Sequence, residues 1–123
     1  MFSYIMLGTN NPEISYQFYA PLMDVLSYPL DGRSEKGAAW VRSKIIIPQD
    51  YVLAFPLIIV MVALNAPSVD IINKLYTLAL ENGGEDDGPP GYRPHYGDDF
   101  YSAYVRDPDN NKIAFVFYDP AKK

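Results

Sequence analysis

The clearest pattern in the chain is an apolar strand followed by an amphipathic helix, and this pattern occurs twice. The stretch 6–12, MLGTNNP, aligns with 61–67, MVALNAP, at one constant offset. Phe18-Tyr19 and Leu75-Tyr76 then fall at similar places in the two helical stretches. An internal repeat of this length predicts two copies of one structural unit.

Both copies predict a helix with one apolar stripe. Asn11 is the expected N-cap of the first helix, with Pro12 at its first position, where the missing N–H costs no hydrogen bond. We expect the second helix to begin at Pro67 and to stop at Gly83-Gly84. The first helix extends to about residue 27. The predicted stripes are Ile14, Phe18, Leu22, Val25 and Leu26, and then Val69, Ile72, Tyr76, Ala79 and Leu80.

Short strand-like runs surround these helices. The predicted strands are 38–42, 44–47 and 51–55 in the first half, and 100–106 and 113–118 in the second. The turn at 107–111 holds Asn110, the best residue after glycine for a positive φ. The apolar run 57–64, LIIVMVAL, predicts a strand buried on both faces. The stretch 83–91, GGEDDGPPG, predicts an acidic loop.

The composition of the chain excludes several classes of function. The 123 residues, 49% of them hydrophobic, predict a single globular domain covering 1–123. No run approaches the roughly 20 apolar residues of a membrane span, and the start lacks a secretory signal, so we expect a cytoplasmic protein. The chain has no cysteine, which excludes thiolate metal sites. A net charge of −5 argues against binding to nucleic acid or anionic membranes.

The last third of the chain resembles a known family. The stretch 90–114, PGYRPHYGDDFYSAYVRDPDNNKIA, is similar to the closing hairpin of glyoxalase/bleomycin-resistance/dioxygenase proteins, the vicinal-oxygen-chelate superfamily. Their pattern there is PG-x-R-x-x-Y-G-x-x-Y-x-A-[FY]-x-R-D-P-D-G-N-x-x-E. The S-x-x-F-Y at 15–19 adds to the resemblance. The alternative is an unrelated ferredoxin-like α+β domain.

The resemblance covers almost the whole chain and implies an α+β fold. Two tandem βαβββ modules, about 1–56 and 57–119, would form a curled mixed sheet around a cleft. Metal-dependent relatives place three metal ligands in that cleft, and the resemblance puts those positions at Tyr4, Ile59 and Ala114. Isoleucine and alanine carry no lone pair, and a neutral phenol is a poor ligand. We therefore expect no metal and no cofactor.

A displaced metal site is the alternative at this point. It would need His95, the only histidine of the chain, together with loop carboxylates. The candidate carboxylates are Glu85, Asp86, Asp87, Asp98 and Asp99. Acidic residues in Gly/Pro-rich loops more often serve solvation, so this alternative is the weaker one.

The cleft remains the expected ligand site. Arg93 matches the arginine of the family pattern and is expected either to hold an anion or to pair with Asp98, Asp99 or a carbonyl group. Tyr96 and Tyr104 are expected to line the pocket, and alternation along the strand places Ser102 and Tyr104 on one side, with Tyr101 and Ala103 on the other. Trp40 either flanks the pocket or packs in the core.

Two residues are candidates for proton transfer. Tyr4 is expected to donate a hydrogen bond into the former metal cavity or simply to fill it. Histidine is a common side chain for proton transfer, but His95 lies in a loop where an exposed histidine is the plainer interpretation.

Three functions follow from these residues. The first is a metal-free protein that binds a small molecule in the aromatic cleft, as metal-free bleomycin-resistance proteins do. The second is a lyase or isomerase similar to lactoylglutathione lyase, which would use a displaced metal or proton transfer by Tyr4 or His95. The third is a subunit of a larger assembly. The resemblance implies a homodimer in all three cases.

Overall fold

The computed structural model describes residues 4–35, 37–40, 44–46 and 61–123. The chain divides into two compact units, Met1–Ile59 and Val60–Lys123. Each unit contains one α-helix and one four-stranded sheet, which confirms the α+β class. Whether the two units form one domain around a cleft stays a prediction.

The first unit runs from strand to helix and then through three strands. Its elements are β1 (Tyr4–Met6), α1 (Pro12–Val25), β2 (Leu30–Ser34), β3 (Gly37–Trp40) and β4 (Lys44–Ile46). The strand order is β1-β4-β3-β2. β1 pairs with β4 in parallel, and the other two pairings are antiparallel.

The second unit repeats this arrangement. Its elements are β5 (Met61–Asn65), α2 (Val69–Glu81), β6 (Glu85–Tyr92), β7 (Phe100–Arg106) and β8 (Lys112–Tyr118). The order is β5-β8-β7-β6, with β5 and β8 parallel and the remaining pairs antiparallel. The shared order confirms the predicted duplication of a βαβββ module.

Each helix begins at a side-chain cap. The Asn11 carboxamide oxygen accepts a hydrogen bond from the N–H of Ile14 at 3.2 Å, and the Ser68 hydroxyl accepts one from the N–H of Ile71 at 3.2 Å. The prediction that α2 begins at Pro67 was wrong, because Ser68 supplies the capping oxygen and Pro67 precedes it. The two caps lie 57 residues apart, two more than the offset that aligns the prolines.

The predicted helix stripes were partly wrong. Phe18 and Leu22 are buried as expected, whereas Ile14 is 46% exposed. In α2, Ile72 and Ala79 are buried, but Leu80 is exposed. The buried set of α1 is Ser15, Phe18, Tyr19, Leu22 and Met23, and that of α2 is Ile72, Leu75 and Ala79. The apolar arc therefore lies about one position away from the predicted one in both helices.

The ends of the helices lie close to their predicted positions. α1 ends at Val25 rather than near residue 27, because Ser27 turns into the left-handed region with φ of 59°. α2 ends at Glu81, and Gly83 adopts φ of +95°. The N–H of Gly84 then donates to the carbonyl of Ala79 at 2.8 Å, which confirms the predicted glycine stop.

The edge strands β2 and β6 escaped prediction. β2 is exposed along its whole length, and the stretch predicted as an acidic loop contains β6. Charge, glycine and proline are tolerated there because an edge strand leaves one side of its backbone unpaired. Of the other predicted strands, 38–42 corresponds to β3 and 44–47 to β4, while 51–55 lies outside the described residues.

The expectation of a strand buried on both faces at 57–64 was also wrong in its described part. β5 alternates between buried Val62 and Leu64 and exposed Met61, Ala63 and Asn65. Only one face of this strand packs against the core of its unit, as in a strand with one covered face.

The β7–β8 turn matches its prediction. Asn110 adopts φ of 67°. The buried Asp107 carboxylate accepts hydrogen bonds from the N–H groups of Asp109 at 2.9 Å and Asn111 at 2.8 Å. These bonds satisfy the turn backbone and fix the register of the hairpin.

A short 3₁₀ helix, Pro120–Lys122, ends the chain and is held by a side-chain hydrogen bond. The hydroxyl of Tyr92 donates to Oδ2 of Asp119 at 2.6 Å, and the other Asp119 oxygen accepts from the N–H of Ala121. The bond from Tyr92 lowers the pKa of Asp119 below its ordinary value of 3.8. The same bond raises the pKa of Tyr92 above 10.0.

Gly88 allows a close approach within the second sheet. Its φ is +146°, and a Cβ atom there would lie 2.8 Å from Cδ2 of Tyr104. We expect Gly88→Ala to lower the free energy of unfolding by about 2 kcal/mol or more, from backbone strain and displacement of the ring. Gly32→Ala is the control, since nothing lies within 4 Å of its Cβ position. Urea denaturation of both variants checks this; equal effects would contradict it.

The Tyr92–Asp119 bond predicts a pH dependence. Because the folded pKa of Asp119 is lowered, its contribution to stability is present above the unfolded pKa and is lost as pH falls through the folded pKa. Asp119→Asn should therefore be less stable than the parent protein at pH 7, with the difference shrinking as pH falls from about 4 towards 2. Urea titrations over this range measure it. A difference that does not depend on pH would contradict the assignment.

Candidate functional site

The second sheet has one face covered by α2. The hydroxyl of Tyr101 donates to Oδ1 of Asn73 on α2 at 2.7 Å, which fixes the side of β7 that faces the helix. The buried sheet residues on this side include Val62, Leu64, Tyr101, Ala103, Val105, Ile113 and Phe115. Burying each large aliphatic side chain contributes roughly 1.5–3 kcal/mol, so this layer stabilises the unit.

The other side of the same sheet, which we call the face opposite α2, carries the candidate functional residues. Strand alternation and the pairing register define its members. They are Met61, Ala63 and Asn65 on β5, Lys112, Ala114, Val116 and Tyr118 on β8, and Phe100, Ser102, Tyr104 and Arg106 on β7.

A cluster of cations surrounds Tyr104 on this face. The guanidinium carbon of Arg93 lies 5.6 Å from the centroid of the Tyr104 ring, and Nζ of Lys112 lies 5.1 Å from it. Arg93 follows the last residue of β6, and its N–H donates to the carbonyl of Phe100 at 2.8 Å. Cations within about 6 Å of an aromatic ring are attracted to its face, so Tyr104 positions both side chains.

One carboxylate partly neutralises the cluster. Asp87 accepts from Nε of Arg106 at 2.9 Å and lies 3.3 Å from Nζ of Lys112. The Arg93 guanidinium instead donates to the carbonyl of Pro89 at 2.5 Å, and no carboxylate pairs with it in the part of the chain that the structure describes. Among the described residues, Arg106 and Lys112 thus share one carboxylate while Arg93 pairs with none, so these four side chains together carry a net positive charge.

Aromatic rings occupy the opposite end of the face. Phe100 and Tyr118 pair across β7 and β8 with ring centroids 5.3 Å apart. Tyr96 lies 5.4 Å from Phe100 and is 67% exposed. His95 is exposed and lies 4.2 Å from Tyr96. The face therefore runs from a cationic end at Tyr104 to an aromatic end at Phe100, which lies four residues away along β7.

The expected metal positions offer few donors. Ala114 is buried in β8 between its partners Ala63 and Tyr104, and its methyl group cannot bind an ion. Ile59 lies outside the described residues. Tyr4 is in β1, and its backbone pairs with that of Lys44 in β4. The offset between the two helix caps aligns Tyr4 with Met61 instead. The thioether of Met61 is a soft donor and a poor ligand for zinc, nickel, manganese or iron. This donor set does not fit a divalent metal.

The acidic alternative gains no geometric support. Within residues 4–35, 37–40, 44–46 and 61–123, no three histidine, aspartate or glutamate side chains come together as a metal site. Asp87 pairs with cations, while Asp86 accepts a hydrogen bond from the hydroxyl of Tyr76 at 2.9 Å. Burial and this bond raise the pKa of Tyr76.

The candidate ligand residue Trp40 packs inside the first unit. Trp40 is 3% exposed, and its ring packs 5.9 Å from that of Tyr16 and 6.5 Å from that of Tyr19, both on α1. Its place is therefore in the layer between sheet and helix of its own unit. Among the predicted ligand residues, the structure brings together Arg93 and Tyr104, and it connects Tyr96 to the same face through Phe100.

Sequence reasoning assigned no role on this face to four residues, although it had placed Ser102 on the same side of the strand as Tyr104 and had named Asp87 as a possible metal ligand. Ser102 and Arg106 share the alternation that had already placed Tyr104, and counting back from Ala114 in twos reaches Lys112. That signal was present in the sequence. Asp87 was not predictable in the same way, since its position depends on β6, which had been taken for a loop.

Comparisons with known proteins bear on the fold. No family model matches the chain, and no curated protein matches it. In the described part of the chain, none of the helices has the length and apolar character needed to cross a membrane.

Solved structures do match. A glyoxalase/bleomycin resistance protein from Albidiferax ferrireducens is 28% identical, with a TM-score of 0.79, covering 94% of this chain and 97% of its own. A glyoxalase-related enzyme from Fulvimarina pelagi is 19% identical, with a TM-score of 0.75 and coverage of 95% and 87%. A glyoxalase/bleomycin resistance protein/dioxygenase family enzyme from Burkholderia phytofirmans is 16% identical, with a TM-score of 0.75 and coverage of 94% and 97%. Its duplicated module, its closing motif and the 28% identical structure together support membership of the glyoxalase/bleomycin resistance/dioxygenase superfamily.

Proposed function

We propose that this protein binds a small aromatic oxyanion without a metal, on the face of the second sheet opposite α2. The single observation that carries the proposal is the pair of cations over the Tyr104 ring, Arg93 and Lys112, of which Arg93 pairs with no carboxylate among the described residues. Such a cluster on a chain of net charge −5 calls for an anionic partner. A homodimer, expected from the resemblance, remains part of the proposal.

Arg93 is the proposed primary contact. Its guanidinium uses one N–H on the Pro89 carbonyl, and a planar guanidinium has five N–H donors in all. The remaining donors suit a carboxylate or phosphate group, which arginine binds in a bidentate manner. The carbonyl bond fixes the side chain in advance, so less conformational entropy is lost when the anion binds.

The aromatic end of the face supports an aryl group on the ligand. Phe100 and Tyr118 meet edge to face, and Tyr96 extends the row into solvent. Rings in this arrangement favour further aromatic contacts over aliphatic ones. An anion held by Arg93 can direct its ring towards Phe100 along β7. Benzoate is the simplest probe with both features.

The enzyme hypothesis receives less support. A lyase similar to lactoylglutathione lyase needs a Lewis acid to stabilise the negative charge that develops on its substrate. Ala114 has no donor, and Met61 is a poor one. His95 is exposed beside Tyr96, on the aromatic end and away from the cation cluster. The metal-free binding function therefore fits these residues better.

Replacing Arg93 tests the anion contact. We expect Arg93→Gln to weaken benzoate binding about tenfold or more, because a hydrogen bond to a charged group is lost. Arg33→Gln is the matched control, since Arg33 also lies over a tyrosine ring, Tyr16, but in the first unit. Isothermal titration calorimetry with benzoate, and with neutral benzamide as the comparison ligand, measures the effect. Equal losses in both variants, or equal binding of both ligands, would contradict the proposal.

Elemental analysis tests the metal-free part. We expect near-zero metal per chain in untagged protein, before and after incubation with nickel, zinc, iron or manganese, because the expected ligand positions lack suitable donors. We also expect no turnover of the hemithioacetal of methylglyoxal and glutathione with added nickel or zinc. One tightly held metal per chain, or metal-dependent turnover, would favour the enzyme instead.

A further inference from the structure

We propose that Ser102 is a second ligand contact, whose hydroxyl donates to the oxyanion that Arg93 holds. This inference rests on the proposed function and adds a specific residue to it. Ser102 lies at the centre of β7, on the same face as Tyr104 and Phe100. It is fully buried, and its hydroxyl has no hydrogen-bond partner among the residues that the structure describes.

The position of Gly91 connects Ser102 to Arg93. Gly91 pairs directly with Ser102 across β6 and β7. A Cβ atom on Gly91 would lie 3.1 Å from Nη1 of Arg93, so the guanidinium lies against the backbone at that point. Neighbouring strands are separated by only about 4.8 Å, which brings the Ser102 side chain within reach of a group bound to the guanidinium.

The chemistry of the serine fits an oxyanion. A hydroxyl donates one hydrogen and also accepts, whereas the Arg93 guanidinium can only donate. Arg93 has no acceptor atom for the hydroxyl hydrogen of Ser102. Val116, which pairs with Ser102 on β8, is apolar and offers none either. A carboxylate oxygen supplies the missing acceptor for the hydroxyl hydrogen. Hydrogen bonds to charged acceptors are stronger than neutral ones, particularly where water is excluded.

The ligand class follows from the order of side chains along β7. Tyr104, Ser102 and Phe100 occupy successive places on one face, from the cationic end to the aromatic end. An anion with two or more acceptor oxygens can contact Arg93 and Ser102 together and still point its ring at Phe100. An aryl carboxylate meets these requirements.

Ser15 provides an internal control. Its hydroxyl on α1 is likewise buried and without a hydrogen-bond partner, but it lies in the first unit, in the layer that α1 buries. A buried hydroxyl without a partner destabilises the folded chain wherever it occurs. Both Ser15→Ala and Ser102→Ala should therefore leave the melting temperature unchanged or raise it. Only one of them should alter ligand binding.

The experiment compares benzoate affinity in the full chain and in Ser102→Ala, Ser15→Ala and Arg93→Gln by calorimetry. We expect Ser102→Ala to bind benzoate roughly threefold to tenfold more weakly and Ser15→Ala to bind it normally. Ser102→Thr, which keeps the hydroxyl, should restore part of the lost affinity.

Unchanged benzoate affinity in Ser102→Ala, with the loss confined to Arg93→Gln, overturns the role of Ser102 and leaves the proposed function intact. An equal loss in Ser102→Ala and Ser15→Ala also overturns it, because a general effect of packing would then explain both. Failure of the parent protein to bind benzoate overturns both proposals.

Discussion

Each module depends on the parallel pairing of its first strand with its last. Parallel neighbours cannot be joined by a tight hairpin, so the chain must cross over, and the helix makes that crossing. In the second unit this pairing sets Ala63 beside Ala114 and leaves β8 and β7 as the inner strands. One face of those strands is then committed to α2, and every functional candidate of the sheet must lie on the other. The same order in the first unit follows from the same constraint.

The edge strand β6 gives the candidate site its shape. An edge strand is released from the hydrogen-bonding demands of an inner strand, and its register shifts at Asp86/Gly88 and again at Gly88/Gly91. Gly88 then admits the Tyr104 ring, while Gly91 admits the guanidinium of Arg93. A more regular β6 with larger side chains would exclude both. The irregular composition that makes β6 look like a loop is therefore what allows the cation cluster to assemble.

Local signals in the sequence predicted part of this structure well. The caps and stops of the helices depend on one or two residues, and so does the turn at Asn110; Asn11, Gly83 and Asn110 acted as expected. The strands β2 and β6 could not be recognised, because their exposed, charged and Gly- or Pro-containing sequences show no apolar alternation. The repeat was aligned on Pro12 and Pro67, which play different roles, one inside its helix and one before the cap.

The residues of the candidate site likewise divide into those that the sequence indicated and those that only the fold reveals. The family motif led to Arg93, Tyr96 and Tyr104, because those residues stand at fixed positions within it. Arg106 stands in the motif but was given no role, and Ser102 and Lys112 are not fixed by it; their shared position appears only when the register of β7 with β8 places all three on one face. Asp87 needs in addition the pairing of a strand that the sequence conceals. Chemistry that depends on one element is visible in a sequence, whereas chemistry shared between three strands is visible only in the fold.

The overall charge of the chain sets a further limit on the site. A net charge of −5 repels anions at long range, so the protein cannot use its general field to attract a ligand of this class. At physiological ionic strength that repulsion is screened beyond about 8 Å, while contacts at a partly buried guanidinium are screened much less. The proposed anion binding must therefore depend on the arrangement of Arg93, Lys112 and Tyr104 at short range. Selectivity then follows from the positions of these donors, which is consistent with a site that holds Arg93 in place through the Pro89 carbonyl before any ligand arrives.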